Sequence, residues 1–134
     1  MLVTGRCLCG AIVYEADINP KRVIACHCID CQRSSGAPFR TVLPVRAEKF
    51  KLVKGEPKVF VKTADSGAQR PQAFCADCGT HIYATGVGDA AAVVAIRGGT
   101  CDQRDELSPT RELWRRSALS WMNDLDVETS HETS

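Results

Sequence analysis

Eight cysteines gathered into tight groups constrain this chain more than any other feature. Cys7 and Cys9 form a pair, Cys26, Cys28 and Cys31 a triplet, and Cys75 and Cys78 a second pair, while Cys101 stands alone. Cys-x-Cys neighbours cannot readily bridge each other without strain, so thiols spaced this way point to metal rather than to disulfides. Cys75-Ala76-Asp77-Cys78-Gly79 reads as a zinc knuckle: a tight turn aims backbone N–H groups at the first sulfur, and the glycine takes the positive φ that follows. Two pairs make one closed four-sulfur tetrahedron, which leaves the triplet one ligand short. Closed sites are usually structural, and three-ligand sites keep a position for water or substrate. A competing partition gives the triplet a fourth ligand from Cys101 or a histidine and strands one knuckle. Spacing favours the first partition without excluding the second.

A chain of 134 residues supports one core. The expectation is a single domain over residues 1–125 and a polar, frayed tail over 126–134. Net charge is +1 and aromatics are 6% of residues, so a nucleic-acid interface, which needs a basic face with interleaved aromatics, is not expected. Seven thiolates and two Zn²⁺ would bring that charge to about −2. No apolar run approaches a membrane span. Arg6 and Cys7 interrupt the short opening Met1-Leu2-Val3 before it could serve as an export segment. Many thiols without such a segment fit a reducing compartment, so the cytoplasm is expected.

Cys7-Leu8-Cys9, if extended, projects both sulfurs from one face, and Gly10 turns the backbone away. Ala11 to Ala16 and Arg22 to Cys26 read as strands separated by a turn at Asp17-Ile18-Asn19-Pro20. Ile29 to Ser35 predicts one helical turn stopped at Gly36. Pro38 to Val45 alternates, with Phe39, Thr41, Leu43 and Val45 on one face and Arg40, Val42 and Pro44 on the other. Glu48 to Lys54 and Lys58 to Lys62 flank Gly55-Glu56-Pro57 as a β-hairpin would. Lys49, Lys51, Lys58 and Lys62 fall on its solvated face or edge. Thr63 to Gln69 is a polar loop, Thr80 to Thr85 a strand, and Ala90 to Ile96 a core strand ended by Gly98-Gly99. Beyond Pro109, the spacing of Trp114, Ala118, Trp121, Met122 and Leu125 predicts a short amphipathic helix. The class is all-β, mainly strands with short helical turns.

Three ordered motifs carry a family resemblance. They are Gly5-x-Cys7-x-Cys9-Gly10, Cys26-His27-Cys28-x-x-Cys31-Gln32-Arg33-x-Ser35-Gly36-Ala37, and Phe74-Cys75-x-x-Cys78-Gly79-Thr80. With Gly99-Thr100-x-Asp102 and Pro109-x-x-Glu112-Leu113-Trp114-x-Arg116-Ser117-Ala118-Leu119-x-Trp121, the chain resembles the glutathione-dependent formaldehyde-activating enzymes, a family that includes centromere protein V. The resemblance implies a β-tent fold of several small antiparallel sheets. It also implies a structural zinc on Cys7, Cys9, Cys75 and Cys78 and a catalytic zinc on Cys26, Cys28 and Cys31. Cys101 stands where the family usually has an aliphatic residue, so a small buried hydrophobe is expected there. The chain is shorter than the glutathione-handling branch, with little sequence to spare for a tripeptide pocket.

Three thiolates on Zn²⁺ make a soft, electron-rich centre, better suited to taking up a thiol than to activating water. The expected activity is therefore that of a carbon–sulfur lyase, reversibly joining a low-molecular-weight thiol, glutathione or similar, to a small aldehyde such as formaldehyde. Gln32 and Arg33, next to the last triplet ligand, are candidate contacts for a substrate carboxylate, or simply caps of the turn. His27 is expected to turn its ring away from the sulfurs into a structural role, and His81 to be a satisfied imidazole. The alternative is a zinc-stabilised binding module without turnover.

Overall fold

A computed structural model describes residues 1–133; position 134, the end of the expected tail, lies outside the described residues. Two sheets carry the mainly β fold. Strands β1 (Leu2–Arg6), β2 (Val13–Asp17) and β5 (Phe50–Lys54) form the smaller sheet in the order β1-β2-β5. The larger sheet contains β3 (Ile24–Cys26), β4 (Arg40–Arg46), β6 (Lys58–Thr63), β7 (Gln69–Phe74), β8 (His81–Ala84), β9 (Val93–Arg97) and β10 (Arg111–Leu113). Its order is β10-β3-β4-β9-β8-β7-β6, antiparallel throughout except for the β10–β3 pair. The helix α1 (Ile29–Ser35) follows β3, and its C-cap Gly36 takes φ 66°, the left-handed stop that the sequence predicts.

Period-two alternation gives the larger sheet two unlike faces. One face supplies Leu43, Val45, Val94 and Ile96 to a core completed by Val3, Ile12 and Tyr14 from the smaller sheet side. Phe50 packs 5.6 Å from Tyr14 within the smaller sheet and 4.9 Å from Tyr83 of the larger one, between ring centroids, so an aromatic contact crosses from sheet to sheet. The other face sets Cys26 opposite Arg40, Ile24 opposite Val42, and Val42 opposite Arg97. Farther across the same face, Ala84 stands opposite Ala95 and Gln72, and Gln72 opposite Phe60. Cationic and thiol side chains thus share a surface with small apolar ones.

Three expectations change. Residues 48–62 do not form a hairpin, because β5 pairs with β2 and β6 with β7. Alternation marks both segments as strands but does not name their partners. Gly55 makes the crossing, at φ 80° with an added Cβ only 2.2 Å from the Ala11 carbonyl oxygen, an approach that glycine alone permits. Cys7-Leu8-Cys9 is a turn rather than extended chain. The amphipathic helix beyond Pro109 is absent: Arg111–Leu113 runs beside β3, and Trp114 takes a left-handed conformation at φ 58°. There Arg111 N–H bonds to Val23 O, and Leu113 O accepts from His27 N–H, so both groups are committed to the sheet edge rather than to a helical ladder.

Candidate metal centres and the adjoining cavity

The two cysteine pairs come together. Cys7, Cys9, Cys75 and Cys78 place their sulfurs all within 4.8 Å of one another. Cys9 Sγ lies 3.6 Å from Cys7 Sγ and 3.8 Å from Cys75 Sγ. A tetrahedron with Zn–S bonds of about 2.3 Å spaces its sulfurs about 3.8 Å apart, so the quartet has the dimensions of a zinc site and not of a disulfide. Both turns are built alike. Cys7 N–H donates to Ile12 O and Cys75 N–H to Thr80 O, while Gly10 and Gly79 take φ 75° and 74°. Thr80 adds a link between them, its Oγ1 accepting from Leu8 N–H at 3.1 Å and lying 3.1 Å from Cys78 Sγ. One turn joins β1 to β2 and the other β7 to β8, so the quartet ties the smaller sheet to the larger.

The triplet is assembled locally. Cys26 ends β3, Cys28 is the N-cap of α1 with Sγ accepting from Cys31 N–H at 3.3 Å, and Cys31 sits in the first turn. Their sulfurs also lie within 4.8 Å of one another, and among the described residues no fourth Cys, His, Asp or Glu atom joins them. Cys101 is fully buried and belongs to neither cluster. A hydrogen bond with Cys31 pulls Cys26 down to about 5, while the same contact and burial push Cys31 up. The negative charge of the triplet is thus shared between sulfurs competing for a proton, a tension that a divalent cation relieves. In the quartet, the Thr80 hydroxyl and N–H hold Cys78 at about 5.

A C-terminal clasp holds the triplet loop from outside. The His27 ring is fully buried, packs 5.5 Å from Phe39 and contacts Glu112 Oε1 through Nε2 at 3.0 Å. Glu112 in turn meets Arg115. Gln32 donates its amide to His27 O and Ser117 O, both at 2.8 Å. That carboxamide braces the loop and is not among the groups lining the cavity described next, whereas Arg33 is.

Between α1 and the non-core face of the larger sheet lies a cavity of about 670 Å³. Cys26, Cys28 and Cys31 stand in its wall beside Ile24, Val42 and Phe60. A space of this size admits a tripeptide, so the expected shortage of room is not met. Two buried arginines flank the triplet. Arg40 donates to Ser34 Oγ at 2.7 Å, and Arg97 donates to Gln72 Oε1. The Nε of each is buried without a hydrogen-bond partner among the described residues. Burial lowers both, Arg97 to about 10 with Arg40 contributing, while the triplet thiolates oppose the shift. Both therefore remain cations at neutral pH.

His81 borders this cavity and a smaller neighbouring one of about 370 Å³. Its ring stacks on Phe74 at 5.9 Å, and Nδ1 is buried without a partner among the described residues, so it is not the satisfied imidazole expected. Burial, then Arg40 and Arg97, lower its pKa and keep it neutral. Arg40 and Arg97 did not stand out in the sequence, although both lie in otherwise apolar strands where a charge needs a reason.

Among the described residues no helix is long and apolar enough to cross a membrane. The family model for the glutathione-dependent formaldehyde-activating enzyme matches residues 2–117. An uncharacterized lyase of Schizosaccharomyces pombe is 32% identical over 79 residues, which is 59% of this chain and 54% of that protein. The chain thus spans about half the length of that curated relative. A crystal structure of a Rhodobacter sphaeroides protein superposes with a TM-score of 0.62 at 19% identity, covering 82% of this chain and 99% of that one. At that identity the likeness concerns the fold alone.

Proposed function

The chain belongs to the glutathione-dependent formaldehyde-activating enzyme family, and from that footing we propose that it is a zinc-dependent carbon–sulfur lyase. It joins a low-molecular-weight thiol, glutathione or similar, to a small aldehyde and releases them again. One contrast carries the reading: four sulfurs make the quartet complete, while three sulfurs form the triplet in the wall of a tripeptide-sized cavity. The name of the fission-yeast relative, a lyase, supports the reaction class.

In this reading Cys7, Cys9, Cys75 and Cys78 hold a structural zinc, and Cys26, Cys28 and Cys31 hold the catalytic one. Zinc on the triplet supplies a soft Lewis acid that makes an incoming thiol nucleophilic at neutral pH. The thiol sulfur bonds to the carbonyl carbon, the C=O π pair moves to oxygen, and the proton given up by the thiol ends on that oxygen. The reverse direction breaks the C–S bond and returns the proton. His81, held neutral by burial and by Arg40 and Arg97 and lining the cavity, carries that proton. Ile24 and Val42 give the reacting centre an apolar wall. Arg40, opposite Cys26 on the neighbouring strand, offsets the negative charge of a three-thiolate centre.

Formaldehyde consumption assayed with a panel of thiols tests the proposal. Wild type should consume it with at least one thiol, and Cys28→Ser should not. A zinc-loaded protein that consumes none, and surrenders both metals together to a chelator, is a non-catalytic zinc-stabilised module instead.

A further inference from the structure

Away from the triplet, cations outnumber acids in the cavity wall. Arg33, Lys62, Arg70 and Arg97 line it against a single carboxylate, Asp30, and Lys62 already engages that carboxylate at 2.6 Å. Arg97 is 8% exposed and has no acidic partner among the described residues. Its orientation is fixed by Gln72, whose Oε1 accepts from Arg97 Nη2 while its Nε2 donates to Arg70 O at 3.1 Å. That leaves Arg97 Nε as a buried donor with nothing to bind, on a side chain lining the cavity.

Burying a guanidinium without an acidic partner is costly. The triplet offsets part of this, but three thiolates with Zn²⁺ carry only one net negative charge. A guanidinium on the cavity wall, locked by Gln72 before any guest arrives and without an acidic partner among the described residues, matches a carboxylate in charge. We propose that Arg97, oriented by Gln72 and backed by Arg70, is a carboxylate-binding subsite that makes the cavity select an anionic guest. The inference rests on the lyase reading for the identity of the guest and on the cavity alone for the existence of the subsite.

Calorimetric titration of the zinc-loaded full chain tests it in two arms, 3-mercaptopropionate against its amide and glyoxylate against glycolaldehyde. The acid should bind about tenfold more tightly, or better, in at least one arm, as a charge-assisted hydrogen bond to a buried arginine requires. The arm that shows the preference identifies which reactant carries the carboxylate. Arg97→Gln should bring the ratio near one without weakening the neutral member of the pair. Arg70→Gln, at a less buried position, should reduce the ratio about threefold and covers the case in which Arg97→Gln does not fold. Ratios near one in both arms of wild type, binding of no probe included, overturn the proposal. So does an Arg97→Gln that weakens acid and neutral probe alike, since the arginine then serves the thiolates only. Equal binding of both thiols with no aldehyde preference removes the subsite and leaves the lyase; a glyoxylate preference without thiol binding does the opposite.

Discussion

His27 and Glu112, 85 residues apart in sequence, meet at 3.0 Å, a fully buried imidazole against a half-exposed carboxylate. The contact fastens β10 over the loop between the first two triplet ligands. Glu112→Ala should cost about 1 kcal/mol in urea unfolding, at the low end for a charged hydrogen bond because one partner is solvated. It should also speed zinc loss from the triplet while leaving the quartet unchanged. A chelator time course in which both metals slow or quicken together would contradict this.

The two clusters should answer to mutation differently. Cys28→Ser should remove one metal per chain and leave thermal unfolding nearly unchanged, because the triplet loop is also braced by Gln32. Cys78→Ser should leave the chain unfolded where wild type is folded, since the quartet joins the two sheets. Equal melting temperatures for Cys78→Ser and wild type would refute the assignment of the structural site.

Two glycines give a paired backbone test. At Gly36 an added Cβ meets nothing within 4 Å, so Gly36→Ala should cost only the left-handed φ, about 1 kcal/mol. At Gly55 the same methyl meets the Ala11 carbonyl oxygen at 2.2 Å, so Gly55→Ala should cost more than about 2 kcal/mol. Comparable denaturation midpoints for the two variants would mean that β5 leaves the smaller sheet by another path.

His81→Gln should lower kcat about a hundredfold, the usual weight of one positioned proton carrier, with metal content unchanged. Zinc analysis beside the kinetics separates this from a structural role, in which activity and metal would fall together.

Legibility followed distance along the chain. The cysteine groups, the two knuckle glycines and the Gly36 stop are local, and their spacing carries their chemistry. Strand positions from Ala11 to Ile96 were mostly readable from alternation. Which strand lies beside which was not, because β5 and β6 share one pattern yet enter different sheets. The cavity escaped notice for the same reason: Arg40 and Arg97 become neighbours of the triplet only once β3, β4 and β9 lie side by side. Trp114 to Leu125 misled outright: the spacing is helical, but the backbone there closes single turns, Ser117 N–H on Trp114 O and Met122 N–H on Leu119 O, instead of a helical ladder.

During synthesis, all three sulfurs of the triplet have emerged once residue 31 leaves the ribosome, whereas the quartet waits for Cys78. At that length Cys7 and Cys9 are the only sulfurs of the quartet yet made, and their partners are still 44 or more residues away. The triplet is therefore complete before the two sheets can be joined, so the two clusters become able to hold a metal at different stages of synthesis.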